Sequence, residues 1–159
     1  MPHSITLRPG NAGDAEFLFR VYAASRIGEF AATGWDAQVQ EAFLRQQFAA
    51  QAQQYQLHYP DADFLVIEDC GRVIGRFYVA RKPEEIRIID ISLIPEFQRR
   101  GIGTQLIRDL LAEGAAIGKP VRLHVERFNP AARLYERLGF RVIEDSQVYL
   151  SLEYRGRSD

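Results

Sequence analysis

The stretch Gln98-Arg99-Arg100-Gly101-Ile102-Gly103-Thr104 constrains the fold more than any other part of the chain. Before it stands a strongly apolar run, Ile86 to Ile94, that reads as a strand. After it, Thr104 to Ile117 carries Leu106, Ile107, Leu110 and Leu111 at helical spacing. A strand, a tight glycine turn and a helix N-terminus form an anion site from backbone alone. The first N–H groups of a helix have no partner inside it, and the peptide dipoles add partial positive charge at the same end. Gly101 and Gly103 present no side chain to block close approach, and Arg99 and Arg100 add fixed charge. The spacing fits neither common nucleotide loop. No Lys followed by Ser or Thr comes after Gly103, and Leu106 stands where the dinucleotide fingerprint needs a third glycine.

The rest of the chain supplies partners for this strand and helix. Ile5 to Arg8 reads as a first strand, stopped by Pro9-Gly10. Asp14 is expected to cap a helix carrying Phe17, Leu18, Val21, Tyr22 and Ser25. Arg26 to Trp35, broken by Gly28 and Gly34, is a connection. Asp36 caps a second helix whose apolar face includes Val39, Phe43, Leu44 and Phe48, and the glutamines between Gln46 and Gln56 are expected on its solvated face. Phe64–Glu68 and Val73–Ala80 form a hairpin around Asp69-Cys70-Gly71-Arg72. Ile86 to Ile94 follows as a third strand, apolar on both faces like a central strand and interrupted by Asp90. Gly118 ends the central helix. Val121 to Val125 is the next strand. Asn129 and Pro130 open a short helix, Ala131 to Leu138, and Arg141–Glu144 with Val148–Leu152 closes the chain as a hairpin.

Length and charge bound the function. A chain of 159 residues suits a single domain over 1–159. A net charge of −1 gives no pull toward nucleic acid or an anionic membrane, and neither partner is expected. One cysteine and three histidines leave no basis for a disulfide or a metal cluster, so no metal is expected. No apolar run reaches spanning length and no basic-then-apolar leader stands at the N-terminus, so a cytoplasmic location is the default expectation.

Two blocks in register carry a family resemblance. The first is IDISLIPEFQRRGIGTQL, Ile89 to Leu106; the second is NPAARLYERLGF, Asn129 to Phe140. Together they resemble the acetyl-CoA motif and the C-terminal motif of the GNAT family of acyl-CoA-dependent N-acyltransferases. The resemblance implies an α/β (α+β) fold with a mixed, mostly antiparallel sheet of about seven strands, flanked by about four helices. In that fold the sheet splays between the strands at Ile86–Ile94 and Val121–Val125. It also implies acetyl-CoA as co-substrate, an unidentified amine acceptor as partner, and a monomer or homodimer.

The chemistry then assigns roles. An acyl thioester is activated toward a neutral amine, so the protein must hold both reactants, deprotonate the amine and protonate the leaving thiolate. Amides of Gln98, Arg99, Arg100, Gly101, Ile102, Gly103 and Thr104 are the expected pyrophosphate site. Arg99, Arg100 and Arg133 are candidates for the remote phosphate, and Asn129 for a further cofactor contact. By the resemblance, the pantetheine arm pairs with backbone at Ile91, Ser92 and Leu93. Tyr135 stands where many family members place the general acid. Glu126 is the first candidate base and Asp90 the second, although a carboxylate within an apolar strand is commonly a hydrogen-bonded structural group. His124, alternating with Val125, is a further candidate to line the site. Glu29 and Trp35 are expected on the acceptor side. Two readings from other classes stay open on sequence alone. One is a non-catalytic acyl-CoA-binding sensor. The other is a toxin that acetylates aminoacyl-tRNA, for which the net charge offers no basic groove.

Overall fold

In the computed structural model, which describes residues 4–156, the apolar runs become strands of a single sheet. Among these residues the strands are β1 (Ile5–Pro9), β2 (Asp63–Asp69), β3 (Arg72–Arg81), β4 (Ile86–Leu93), β5 (Val121–Glu126), β6 (Arg141–Asp145) and β7 (Tyr149–Tyr154). The helices are α1 (Ala15–Arg26), α2 (Ala37–His58), α3 (Ile102–Ile117) and α4 (Ala131–Arg137). The sheet order is β1-β2-β3-β4-β5-β7-β6. Neighbours pair antiparallel except β4 and β5, which are parallel. A parallel pair needs a crossover, and α3 is that crossover. The architecture is the expected mixed, mostly antiparallel sheet with helices on both faces. Among the described residues no helix is long and apolar enough to cross a membrane.

Packing fixes which face each helix covers. Ile67, Ile74, Val79, Ile86 and Ile88 from the sheet cluster with Ile107, Leu110 and Leu111 of α3. Each fully buried aliphatic side chain is worth roughly 1.5–3 kcal/mol, so this cluster holds α3 against the centre of the sheet. Phe19, Tyr22, Phe30 and Leu44 form a second cluster that joins α1 to α2. These helices cover the opposite face, where Gln51 and Tyr55 of α2 meet Arg76 and Tyr78 of β3.

Two features of β4 prepare a site. Tyr78 pairs with Asp90 but Val79 pairs with Ile88, so Ile89 is an extra residue, a β-bulge. The bulge shifts the alternation of side chains by one. Asp90 and Ser92 join the face of Arg76 and Tyr78, while Ile91 and Leu93 pack with the α3 cluster. The second feature is where pairing stops. β4 and β5 are joined only at Ile86↔Val121, Arg87↔Arg122 and Ile88↔Leu123. Past Ile88 they part, and residues 90–93 keep a sheet partner only on the β3 side. That side is tight: a Cβ on Gly75 would lie 2.0 Å from the Ser92 carbonyl oxygen, so only glycine lets β3 close on β4 here.

Several local expectations shift. Asp14 is not the helix cap. Asn11 opens a 3-10 turn at Ala12–Asp14, its side chain accepting from Gly13 N, while Asp14 accepts from Asn11 N at 2.8 Å. That is a reciprocal capping box one turn earlier, and Asp14 is further held by Arg8 through two bonds of 2.8 and 2.9 Å. Asp36 does cap α2, accepting from Val39 N at 2.9 Å. α3 begins at Ile102 rather than Thr104, because Gly101 takes the left-handed cap conformation (φ 81°) and the chain is helical from the next residue. The glutamine face of α2 is not wholly solvated: Gln51 accepts from Arg76 Nη2 at 2.8 Å. The last strand runs on to Tyr154, since Glu153 and Tyr154 continue the ladder with Arg122 and Val121.

Candidate active site

One wall of the splay is made of backbone. The first turn of α3 rests against the parted end of β4: a Cβ on Gly103 would lie 3.7 Å from Ile91 Cδ1 and 4.0 Å from Leu93 Cδ1. Gln98 ties the connecting turn to the strand, its Nε2 donating to the Leu93 carbonyl at 2.9 Å. Arg99 (φ 62°) and Gly101 (φ 81°) both lie in the left-handed region, and no side chain caps the helix at Gly101. The amides of Ile102, Gly103 and Thr104 therefore start α3 with no side-chain acceptor at its cap. The two glycines act differently. Gly101 is required by its backbone conformation, whereas Gly103 is outside the left-handed region and simply keeps the first turn low. Arg99 and Arg100 are exposed at this end, with Arg100 over the Phe97 ring at 5.2 Å, and Arg133 is exposed on α4. Asn129 Oδ1 accepts from Ala131 N at 2.9 Å, which fixes the start of α4 as its sequence implies.

The other wall is made of side chains. A cavity of about 410 Å³ opens on the α1–α2 face of the splay, lined among others by Arg26, Tyr55, Arg87, Asp90, Glu126 and Tyr135. Its volume lies within the roughly 300–1,000 Å³ of small-molecule sites. The three residues expected to carry chemistry, Tyr135, Glu126 and Asp90, all meet here, as does His124.

Their environments differ. Tyr135 is only 8% exposed and packs edge-on against Phe140 at 5.6 Å between centroids. Burial, with Asp90's charge adding to it, pushes its phenol up to about 12, so the hydroxyl stays protonated far above neutrality. Asp90 is engaged: it forms an ion pair with Arg76, and Ser92 Oγ donates to it at 3.3 Å. Arg76 is itself buried, bonded to Gln51 and placed over the Tyr78 ring at 4.8 Å. Glu126 is exposed at the end of β5. His124 lies two residues before it on the same face, and desolvation, then Arg87's charge, lowers its pKa, favouring the neutral ring. Glu29 and Trp35 are not among the residues lining the cavity. Glu29 lies 3.8 Å from Arg26 Nη1, and Trp35, 41% exposed, packs on Phe30 and Phe43.

Comparison with known proteins gives the class. A model of the acetyltransferase (GNAT) family matches residues 28–140. This chain belongs to the GNAT acetyltransferase family. A mycothiol acetyltransferase of Corynebacterium glutamicum is 38% identical over 94 residues, 57% of this chain and 32% of that protein. The chain thus spans about a third of that curated relative's length. The PaiA N-acetyltransferase of Thermoplasma acidophilum, solved in complex with coenzyme A, matches with a TM-score of 0.69 at 21% identity, over 96% of this chain and 99% of that one. A GNAT family acetyltransferase of Elizabethkingia anophelis, solved with acetyl-CoA bound, matches with a TM-score of 0.60 at 16% identity, over 96% and 98%. At these identities the two structures share the fold.

The cavity also contains residues that no motif marks. Arg26, Gln51, Tyr55, Tyr59, Arg87 and Tyr149 come from α1, α2 and its C-terminal end, β4 and β7. Only Arg87 had a local signal, a charge set between the buried Ile86 and Ile88. The others meet because the helices fold over the sheet.

Proposed function

We propose that this chain transfers an acetyl group from acetyl-CoA to a primary amine by direct attack in a ternary complex. The splay carries this reading: a strand edge without a sheet partner runs into a helix N-terminus without a side-chain cap. The free side of β4 at Ile91, Ser92 and Leu93 suits a pantetheine arm, which carries amides that can add to a sheet edge. The amides from Arg99 to Thr104 suit the pyrophosphate, whereas that of Gln98 already donates to the Pro95 carbonyl at 3.1 Å and closes the turn before them. Exposed Arg99, Arg100 and Arg133 suit the remote phosphate, and Asn129 borders the same opening. The solved fold relatives that carry coenzyme A or acetyl-CoA support this use of the fold.

The side-chain wall takes the amine. Holding both reactants together contributes at most roughly 7–11 kcal/mol to the barrier reduction. Glu126 accepts the amine proton, directly or through water, because its carboxylate is open to the cavity while Asp90 is committed to Arg76. Tyr135 donates a proton to the departing thiolate, and its raised pKa keeps that proton in place until charge builds on sulfur. Glu29 acts on the acceptor through Arg26, and Trp35 acts by holding the connection between α1 and α2.

The deciding experiment is a thiol-release assay with acetyl-CoA against a panel of amines, with mass spectrometry of the product. Free coenzyme A and an amine one acetyl group heavier are the expected result. Tight acetyl-CoA binding with no amine-dependent thiol release would replace the transferase reading with a non-catalytic binder.

A further inference from the structure

Among the described residues, two buried side-chain polar atoms have no hydrogen-bond partner: Arg26 Nε and Arg87 Nη1. Both residues line the same cavity, one from α1 and the other from β4. A buried cationic donor without a partner is costly, and such groups in native proteins call for an explanation. Here both residues line one solvent-open pocket, and the two unpartnered nitrogens lie just beneath its surface, where an anion that shifts either guanidinium can take up its free donor.

The charge around them favours an anion. Arg87 is the first member of a row that crosses the sheet on the cavity side. Glu85 accepts from Arg87 Nε at 2.6 Å and from Arg122 Nη1 at 3.1 Å; Glu153 accepts from Arg122 Nε at 2.8 Å and from Arg155 Nε at 2.7 Å. Three guanidinium groups share two carboxylates, so the row holds one positive charge in excess (3 − 2 = +1). Burial opposes ionisation of Glu85, yet its bonds from Arg87 and Arg122 hold its carboxyl below the usual range, so it stays charged and occupied. Arg26 is less neutralised still. Its guanidinium stacks on the Tyr22 ring at 4.6 Å, and Glu29 is a loose, exposed partner at 3.8 Å. Of the two carboxylates in the cavity, Asp90 is already paired with Arg76, which leaves Glu126 to face the amine.

We propose that the acceptor is an amine that also carries an anionic group, and that Arg26 and Arg87 bind this group. This rests on the transferase reading above and narrows its substrate class. Guanidinium N–H donors match carboxylate and phosphate alike, so the ligand chemistry is an anionic oxygen group beside a primary amine. Cationic polyamines and simple alkylamines lack what the two donors require.

The test compares amino acids with their carboxamides, and phosphoethanolamine with ethanolamine, at saturating acetyl-CoA. Rates are referred to the free-amine fraction, which removes the difference in protonation, and the Arg variants correct for the difference in nucleophilicity that remains. The anionic member of the preferred pair should have a kcat/KM roughly 10- to 100-fold higher, the worth of a hydrogen bond to a charged group. Whether the carboxylate or the phosphate pair discriminates identifies the anion. In Arg26→Gln and Arg87→Gln the ratio should fall toward one, through the acceptor's KM. Arg87→Gln also disturbs the Glu85 row, so Arg26→Gln, at an element surface, provides a variant that folds independently of it. A second measurement does not need turnover: calorimetry of N-acetyl amino acids against N-acetyl amino acid amides on the coenzyme A complex. Tighter binding of the acids, lost in the Arg variants, supports the site. Equal affinities, binding of neither, or a preference for neutral amines overturns it while leaving the transferase intact. Failure of coenzyme A itself to bind overturns the transferase reading instead.

Discussion

The two walls of the splay are built from different materials. The β4–α3 wall presents backbone: an unpaired strand edge over residues 89–93 and the uncapped first turn after Gly101. The wall under α1 and α2 presents side chains from α1, α2, β4, β5, α4 and β7. A backbone site depends on conformation, so substitutions damage it only by blocking or distorting the chain. A side-chain site depends on the identity of each residue and can change its ligand one position at a time. In this account the first wall holds what every reaction cycle needs and the second decides which amine is used.

The largest effect should come from filling the backbone wall. Gly103→Trp places an indole over the first turn of α3, with a Cβ that itself fits at 3.7 Å from Ile91. Acetyl-CoA binding should be abolished with the melting temperature little changed, as calorimetry and thermal unfolding on one preparation will show. Unchanged affinity in the folded variant would break the division between the walls.

Next comes Tyr135→Phe, which keeps the ring and its packing on Phe140. If the hydroxyl is the proton donor, kcat should fall roughly 10²- to 10⁴-fold with acetyl-CoA affinity unchanged. The pH profile sharpens this. A phenol raised to about 12 keeps its proton throughout the accessible range. The wild-type rate should therefore climb as the amine loses its proton and show no falling limb below about pH 10. A falling limb near pH 8 would assign the acid to another group. Near wild-type kcat in the variant, with chemistry rate-limiting, would leave water as the donor.

Asp90→Asn separates structure from catalysis on the side-chain wall. It removes the counter-charge of the buried Arg76 guanidinium while leaving its bond to Gln51, and losing one charge of a buried pair costs up to about 3 kcal/mol. The loss should appear in denaturant unfolding, with a smaller drop in kcat than for Glu126→Gln. A stable Asp90→Asn protein with kcat lowered more than in Glu126→Gln would move the base to Asp90. The smallest effect belongs to Glu29→Ala. By loosening Arg26 it should change the acceptor's KM a few-fold, roughly as an exposed ion pair allows, with that of acetyl-CoA constant. The reverse pattern would place Glu29 on the cofactor wall.

The same contrast explains what could be read from the sequence. The backbone wall is contiguous, so its glycines, its apolar strand and its helix lie within one stretch and announce themselves. The order of strands and helices along the chain, the caps at Asp36 and Asn129, and the break between β4 and β5 followed from such local signals and the resemblance. The bulge at Ile89 did not, because an extra residue is defined only by the register of β3 opposite. Arg26 and Gln51 were illegible for a similar reason. They sit on helices whose patterns describe only packing, and the tertiary fold brings Arg26 to the cavity that Arg87 lines and Gln51 to Arg76. Asp14 misled because an acidic residue at a helix start suits both the cap and the third position of a capping box, and Asn11 took the first of these.

The central claim, that the cofactor lies along the backbone wall, is tested most directly by amide hydrogen exchange with and without coenzyme A. The account predicts slowed exchange in peptides covering Ile89–Leu93 and Gly101–Thr104, with α2 and β1 unchanged. Protection confined to α1 and α2, with β4 and the first turn of α3 exchanging as before, would contradict it.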